Sequence, residues 1–302
     1  MTVEQDRPIA SGARYDAGAL NAAGGGVLAA VNPLRIAREV VRDLRGLHYY
    51  RYAMANFVIA QLKVRYQRST LGFLWTLLNP ILTMTVLALV FSQILGTRLD
   101  DYVLYLFSGM IPWQFFSACV ESGSRSLIAK EHLIRKVRVQ KLIFPLSDVL
   151  VAAVNMCFAM TALFIILECL GAAGLVKVAL HAQLVLLPAG MLFLMLFSFG
   201  AALVAMTLVT RFRDFEHVIG VLLQAFYFTC PILYTPKLLG DYAFLLRFNP
   251  MAHLLAFFQD ALYHGRWTQP EHWVAAPASA LGMLVIGYVV YKRHEHDYIF
   301  LL

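Results

Sequence analysis

The sequence predicts an all-α integral membrane protein with six transmembrane helices. Composition is the first reason: hydrophobic residues make up 60% of the 302, charged residues only 14%, and mean hydropathy is +0.67. Soluble chains carry about a quarter charged residues. Continuous apolar stretches of about 20 residues, enough to span a hydrocarbon core, recur along the chain. They lack the period of two that a closed outer-membrane barrel requires, so helices are the spanning elements.

Residues 1–45 are expected to be a flexible cytoplasmic tail. Ala17 to Val31 is small and rich in glycine, and Glu4 and Asp6 spoil the positive start of a signal peptide. The membrane domain is expected over 46–302. It opens with residues 46–66, where Leu47, Tyr50, Met54, Phe57, Val58 and Leu62 alternate with His48, Arg51, Gln61, Lys63 and Arg65. That spacing suits an amphipathic helix in the membrane surface. Spans follow at about Leu71–Leu95, Val103–Ser122, Ile143–Leu170, Gln183–Val209, Val218–Tyr234 and Trp273–Tyr291. A basic loop over 124–142 separates spans two and three. Between spans five and six, Met251–Tyr263 is too apolar for an ordinary loop and too short to span, which predicts short re-entrant or interfacial helices.

Charge sets the orientation. With the N-terminus inside, twenty of the 25 Lys and Arg residues fall on the cytoplasmic side and five on the other. That asymmetry predicts both termini in the cytoplasm, in a cytoplasmic membrane. The net charge of +7 is spread beside apolar runs, which argues for membrane orientation and against a nucleic-acid partner. Cys119, Cys157, Cys169 and Cys230 sit in or beside apolar stretches without metal-ligand spacing. No catalytic triad, paired carboxylate or zinc spacing occurs. His294-Glu295-His296-Asp297 reads as a solvated tail before it reads as a metal site. The chain has no G-x-x-x-x-G-K-[ST] phosphate loop, so energy for uphill transport has to come from a partner or an ion gradient. Glu121, Asp148, Glu168 and Asp260 lie mostly near span ends. An ion-coupled carrier would need buried acids at span centres.

The most informative junction is residues 63–80. Lys63, Arg65 and Arg68 reach headgroup level with Tyr66 and Trp75 nearby, and Asn79-Pro80 interrupts helical hydrogen bonding inside the first span. Two readings fit the cations: membrane anchoring by snorkelling, and recognition of an anionic lipid headgroup such as a pyrophosphate.

The run Arg65-Tyr-x-x-Ser69-x-Leu71-Gly72-x-x-Trp75-x-x-x-x-Pro80 resembles the motif of type-2 ABC permeases for polysaccharide and polyol-phosphate export. Leu133-Ile134-Arg135-Lys136-Val137, Arg211-Phe212-Arg213-Asp214, Pro231-Ile232-Leu233-Tyr234 and Asn249-Pro250 follow in the family's order. The match is closer to O-antigen and teichoic-acid exporters than to the capsule branch. The resemblance implies a transmembrane subunit for lipid-linked polysaccharide, working as a homodimer with two copies of a separate ATPase. That partner would bind ATP and Mg; this chain would bind no cofactor. It implies lipid access at Arg65, Arg68, Tyr66 and Trp75. It places the ATPase-coupling helix within 127–138, with Leu133, Ile134, Arg135 and Lys136, and a second contact at Arg211, Arg213 and Asp214. An external gate would lie around Pro231, Asn249 and Pro250. Phe107, Trp113, Phe116, Tyr227, Phe228 and Tyr234 are candidates to line a glycan path, since sugar rings stack on aromatic faces; facing lipid or neighbouring helices is their other reading. The alternatives are a type-2 permease for a drug or small lipid, and the ion-coupled carrier.

Overall fold

A computed structural model describes residues 33–66, 78, 82, 86, 90, 99–136, 139–172 and 182–298. Every regular element among them is helical.

Helix α1, Pro33–Tyr49, stands in a unit of its own. Its sequence is strongly amphipathic: Ile36, Val40, Leu44 and Leu47 recur at helical spacing, and Arg35, Arg38, Arg42 and Arg45 fall between them. Part of the stretch read as a tail is therefore helical. The amphipathic helix expected over 46–66 is also interrupted. Residues 46–49 end α1, Tyr50 is a turn, and α2 runs Arg51–Tyr66.

The second unit contains α2 and all that follows. Most of the first predicted span lies outside the described residues; positions 78, 82, 86 and 90 are helical. The other long helices are α3 (Leu99–Ser124), α5 (Ile143–Ala172), α6 (Leu186–Arg211, led in by a 3-10 turn at Ala182–Val185) and α9 (Pro270–His294). Among the described residues these supply four stretches long and apolar enough to cross a membrane. The fifth predicted span is shorter than expected. Helix α7, Phe215–Thr229, has 15 residues; at 1.5 Å per residue it reaches about 22 Å, short of a ~30 Å core. Pro231 explains the stop: it holds Cys230 in an extended conformation, φ −92° and ψ 143°, that cannot continue a helix.

Helix α6 is the centre of the bundle, packing against α9, α3 and α5. Its approach to α9 is close because of glycine. A Cβ on Gly287 would run into the Gly200 carbonyl, and one on Gly200 into the Met283 carbonyl. Small residues of this kind let membrane helices touch backbone to backbone, where packing rather than water exclusion drives association.

The apolar stretch 251–263 is not a lipid-facing loop. Helix α8, Pro250–Gln259, runs into a π-helical turn, Asp260–His264, and its residues 251–262 are all buried. Asn249 caps it, accepting from Met251 N at 3.0 Å. Gly265, in the left-handed region at φ 59°, ends it. The Arg266 Nε then donates to Asp260 Oδ1 at 2.8 Å, pairing the buried carboxylate.

Candidate functional site

Three basic segments meet at one end of the bundle. After α3, the chain passes through buried Leu127 into a 3-10 turn, Ile128–Lys130, and the short helix α4, Glu131–Lys136. No side chain in either piece is buried. Leu133 and Ile134 are half-exposed, Arg135 and Lys136 exposed. A six-residue helix is too short to be stable alone. Arg135 and Glu131 form one i,i+4 pair at 2.7 Å. The segment thus presents apolar and cationic groups outward.

The second segment is the reversal between α6 and α7. Phe212 is extended, and Arg211, Phe212, Arg213 and Asp214 are all exposed. Arg125, beside the first segment, pairs with Glu216 at 3.2 Å and so brings the two predicted coupling regions together. Partial exposure limits that pair to about 0.2–1 kcal/mol, so it aligns more than it stabilises.

The third segment follows α9, where the sequence suggested a solvated tail. Lys141 Nζ donates to the Glu295 carbonyl at 2.6 Å and lies 5.5 Å from the centre of the Tyr298 ring. Tyr298 is fully buried, its hydroxyl 2.6 Å from Thr207 Oγ1. Burial pushes the Tyr298 phenol up to about 12, and burial also lowers the Lys141 ammonium, against the opposing pull of Glu295. His294 Nδ1 donates to the Val290 carbonyl at 3.0 Å. This stretch straps the end of α9 onto the basic loop and α6.

A lateral groove of ≈ 530 Å³ opens between α3 and α7. Trp113 lies in its wall, 5.4 Å from the Tyr227 ring and 5.7 Å from Phe226. Tyr227 and exposed Phe228 continue that wall. The Tyr227 hydroxyl is buried without a hydrogen-bond partner among the described residues. Of the six aromatics singled out, Trp113, Tyr227 and Phe228 line the groove. Phe116 packs on Trp113 at 5.5 Å between ring centres, Phe107, Trp113 and Phe116 all belong to the buried core, and Tyr234 donates from its hydroxyl to the Phe228 carbonyl at 3.1 Å. The same groove also holds Gln114, Ser117, Glu121 and Gln224, which the sequence reading did not assemble. Their signal was present: 114, 117 and 121 fall on one face of a largely apolar helix.

At the groove's far end the chain is pinned by carbonyl contacts. The Tyr105 hydroxyl lies 2.8 and 2.6 Å from the Pro231 and Tyr234 carbonyls, Gln259 Nε2 donates to Pro231 at 2.6 Å, and Tyr102 donates to Leu233 at 2.8 Å. Asn249 Nδ2 donates to the Thr229 carbonyl at 3.0 Å. Pro231, Asn249 and Pro250 therefore sit together where α7 ends and α8 begins. Of the predicted lipid-access residues, Arg68, Trp75 and the side chains of Arg65 and Tyr66 lie outside the described residues.

Long apolar helices, a polar and aromatic groove, and a basic face at one end define a multi-pass membrane transport protein. Residues 54–263 match the ABC-2 type transporter family, and the chain belongs to that family. It is 29% identical over 262 residues to the O-antigen export system permease protein RfbA of Myxococcus xanthus, covering 86% of this chain and 98% of the relative. A Klebsiella pneumoniae protein of the same name is 25% identical over 238 residues, 78% of this chain and 90% of the relative. The polysialic acid transport protein KpsM of Escherichia coli is 22% identical over 258 residues, 83% and 96% of the two chains.

Proposed function

We propose that this chain is the membrane-spanning subunit of an ATP-binding-cassette exporter that moves lipid-linked polysaccharide, of the O-antigen or teichoic-acid kind, across the cytoplasmic membrane. The observation that carries the reading is similarity across 98% of the length of an O-antigen export permease. The groove chemistry supports it. Phe228 and the partly exposed Tyr227 offer ring faces to the C–H groups of sugars, with buried Trp113 packed beside them, while Gln114, Gln224 and Glu121 offer hydrogen-bonding groups to hydroxyls. Such a lining suits a polymer that must slide without being held.

Two copies of the chain would form the path, and two copies of an ATPase, carrying ATP and Mg, would dock on the basic face. That face would be cytoplasmic, with both termini, a reading that the distribution of Lys and Arg supports. Closure of the ATPases on ATP would push on residues 127–138. Arg65 and Arg68 would attract the anionic headgroup of the carrier lipid.

The test is loss and rescue in the native host. Cells lacking the chain should lose surface polysaccharide and accumulate it, still lipid-linked, inside; a plasmid copy should reverse both. Normal surface polysaccharide together with a defect in drug or small-lipid efflux would favour the other type-2 reading and overturn this one.

A further inference from the structure

The structure assigns Asp148 a positioning role: its carboxylate clasps the docking segment to helix α2, so that displacement of one moves the other. This rests on the proposal that the segment around α4 receives an ATPase.

Asp148 lies one turn into α5 and its side chain is only 5% exposed. Two donors from different elements converge on the same oxygen, Oδ1. Lys130 Nζ, from the 3-10 turn that leads into α4, donates at 2.7 Å. Gln61 Nε2, from α2, donates at 2.9 Å. One turn earlier on α5, Phe144 repeats the arrangement with apolar groups. Phe57 of α2 meets it edge-on at 5.7 Å, and Lys130 Nζ lies 5.7 Å from the ring centre. Phe144 and Asp148 share one face of α5, and Phe57 and Gln61 share one face of α2, because residues four apart on a helix are neighbours. Docking segment, surface helix and third span therefore meet at a four-residue contact completed by Lys130.

The energetics make this a link rather than a coincidence of surfaces. A buried carboxylate is tolerated while paired and is costly alone. If Lys130 is pulled away, Asp148 loses its counter-charge, so the cheaper response is for the three elements to shift together. Neither Ile128–Lys130 nor α4 buries a side chain. Lys130, with a side chain 18% exposed, is thus the charged point at which a push on this segment enters the bundle. The partner pushes at α4, and the clasp carries that motion to the helix that leads into the first span.

The test measures hydrogen–deuterium exchange on the full chain in nanodiscs with its partner ATPase, free and trapped with ADP and vanadate. In the parent complex, trapping should change exchange at both 128–136 and 51–66. Two variants cut the clasp differently. Gln61→Leu removes the carboxylate's hydrogen bond to α2 and leaves the ion pair. The pair Lys130→Met with Asp148→Leu removes both charges together, leaving no unpaired one. In both, the response at 128–136 should persist and that at 51–66 should be lost; Asp148→Glu should retain it. If the pair fails to fold, Gln61→Leu decides alone. A full response at 51–66 in Gln61→Leu overturns the clasp and leaves ATPase docking standing. No response at 128–136 in the parent overturns the docking proposal, and the clasp with it.

Discussion

Replacing Leu133 and Ile134 together with Asp should detach the ATPase while leaving the fold intact. Both side chains are half-exposed in the free chain, and no residue of α4 is buried. Surface changes of this kind shift folding stability by only about 0.5 kcal/mol. Docking is another matter. Full burial of a Leu or Ile side chain is worth about 1.5–3 kcal/mol, so covering the smaller part of each that is still exposed contributes about 0.5–1 kcal/mol apiece. Each carboxylate forced into the interface without a partner costs at least about 1 kcal/mol more. The sum, about 3 kcal/mol, weakens docking by roughly a hundredfold at 1.4 kcal/mol per decade. The assay is a titration of the ATPase onto nanodisc-embedded chain, with thermal unfolding of the chain as the control. Affinity within about threefold of the parent, a change below 1 kcal/mol, would refute the assignment of this segment as a docking element.

Other outcomes follow from the packing and the groove. Phe228→Ala and Gln224→Leu remove exposed lining groups without touching the core, and should lower polysaccharide export at unchanged membrane abundance, read by surface-glycan staining; normal export in both would assign the groove to lipid or protomer contacts. Gly287→Val should separate α6 from α9, because any side chain there meets the Gly200 carbonyl; the expected loss is about 3 kcal/mol or more, seen as a lower unfolding temperature, whereas Gly282→Ala, in open space, should be near neutral. Charge attraction to an anionic surface is worth about 1 kcal/mol per basic residue. If Arg65 and Arg68 bind a headgroup by a bidentate fork, Arg→Lys should therefore cost more than anchoring allows; full export in both Lys variants would assign them to anchoring.

What the sequence disclosed follows the reach of its signals. Spans two, three, four and six were legible because continuous apolar length is a local property. Span five was over-extended because Phe226-Tyr227-Phe228 reads as membrane while Pro231, a single residue, ends the helix. A short helix in the basic loop was legible from Leu133 and Ile134 standing among cations, and α4 lies there with no residue buried. The polar row at Gln114, Ser117 and Glu121 was visible as a stripe but lost among the aromatics. Asp148 could be seen as an acid near a span end. Its partners could not, since Gln61 lies 87 residues away and only folding brings it to 2.9 Å. The strap at Tyr298 was hidden for the same reason, because a charged His-Glu-His-Asp run conceals a tyrosine that folding buries against Thr207, 91 residues earlier.

The most direct measurement is ATP-dependent translocation of a fluorescently tagged lipid-linked polysaccharide in proteoliposomes. The purified chain is compared alone, with its partner ATPase, and under an imposed proton or sodium gradient. The chain alone should neither hydrolyse ATP nor move the glycan, and an ion gradient should not change that. Adding the ATPase with ATP and Mg should start translocation, and vanadate should stop it. Glycan movement by the chain alone on an ion gradient, or ATP hydrolysis without the partner, would contradict the reading of this chain as the transmembrane half of an ATP-driven exporter.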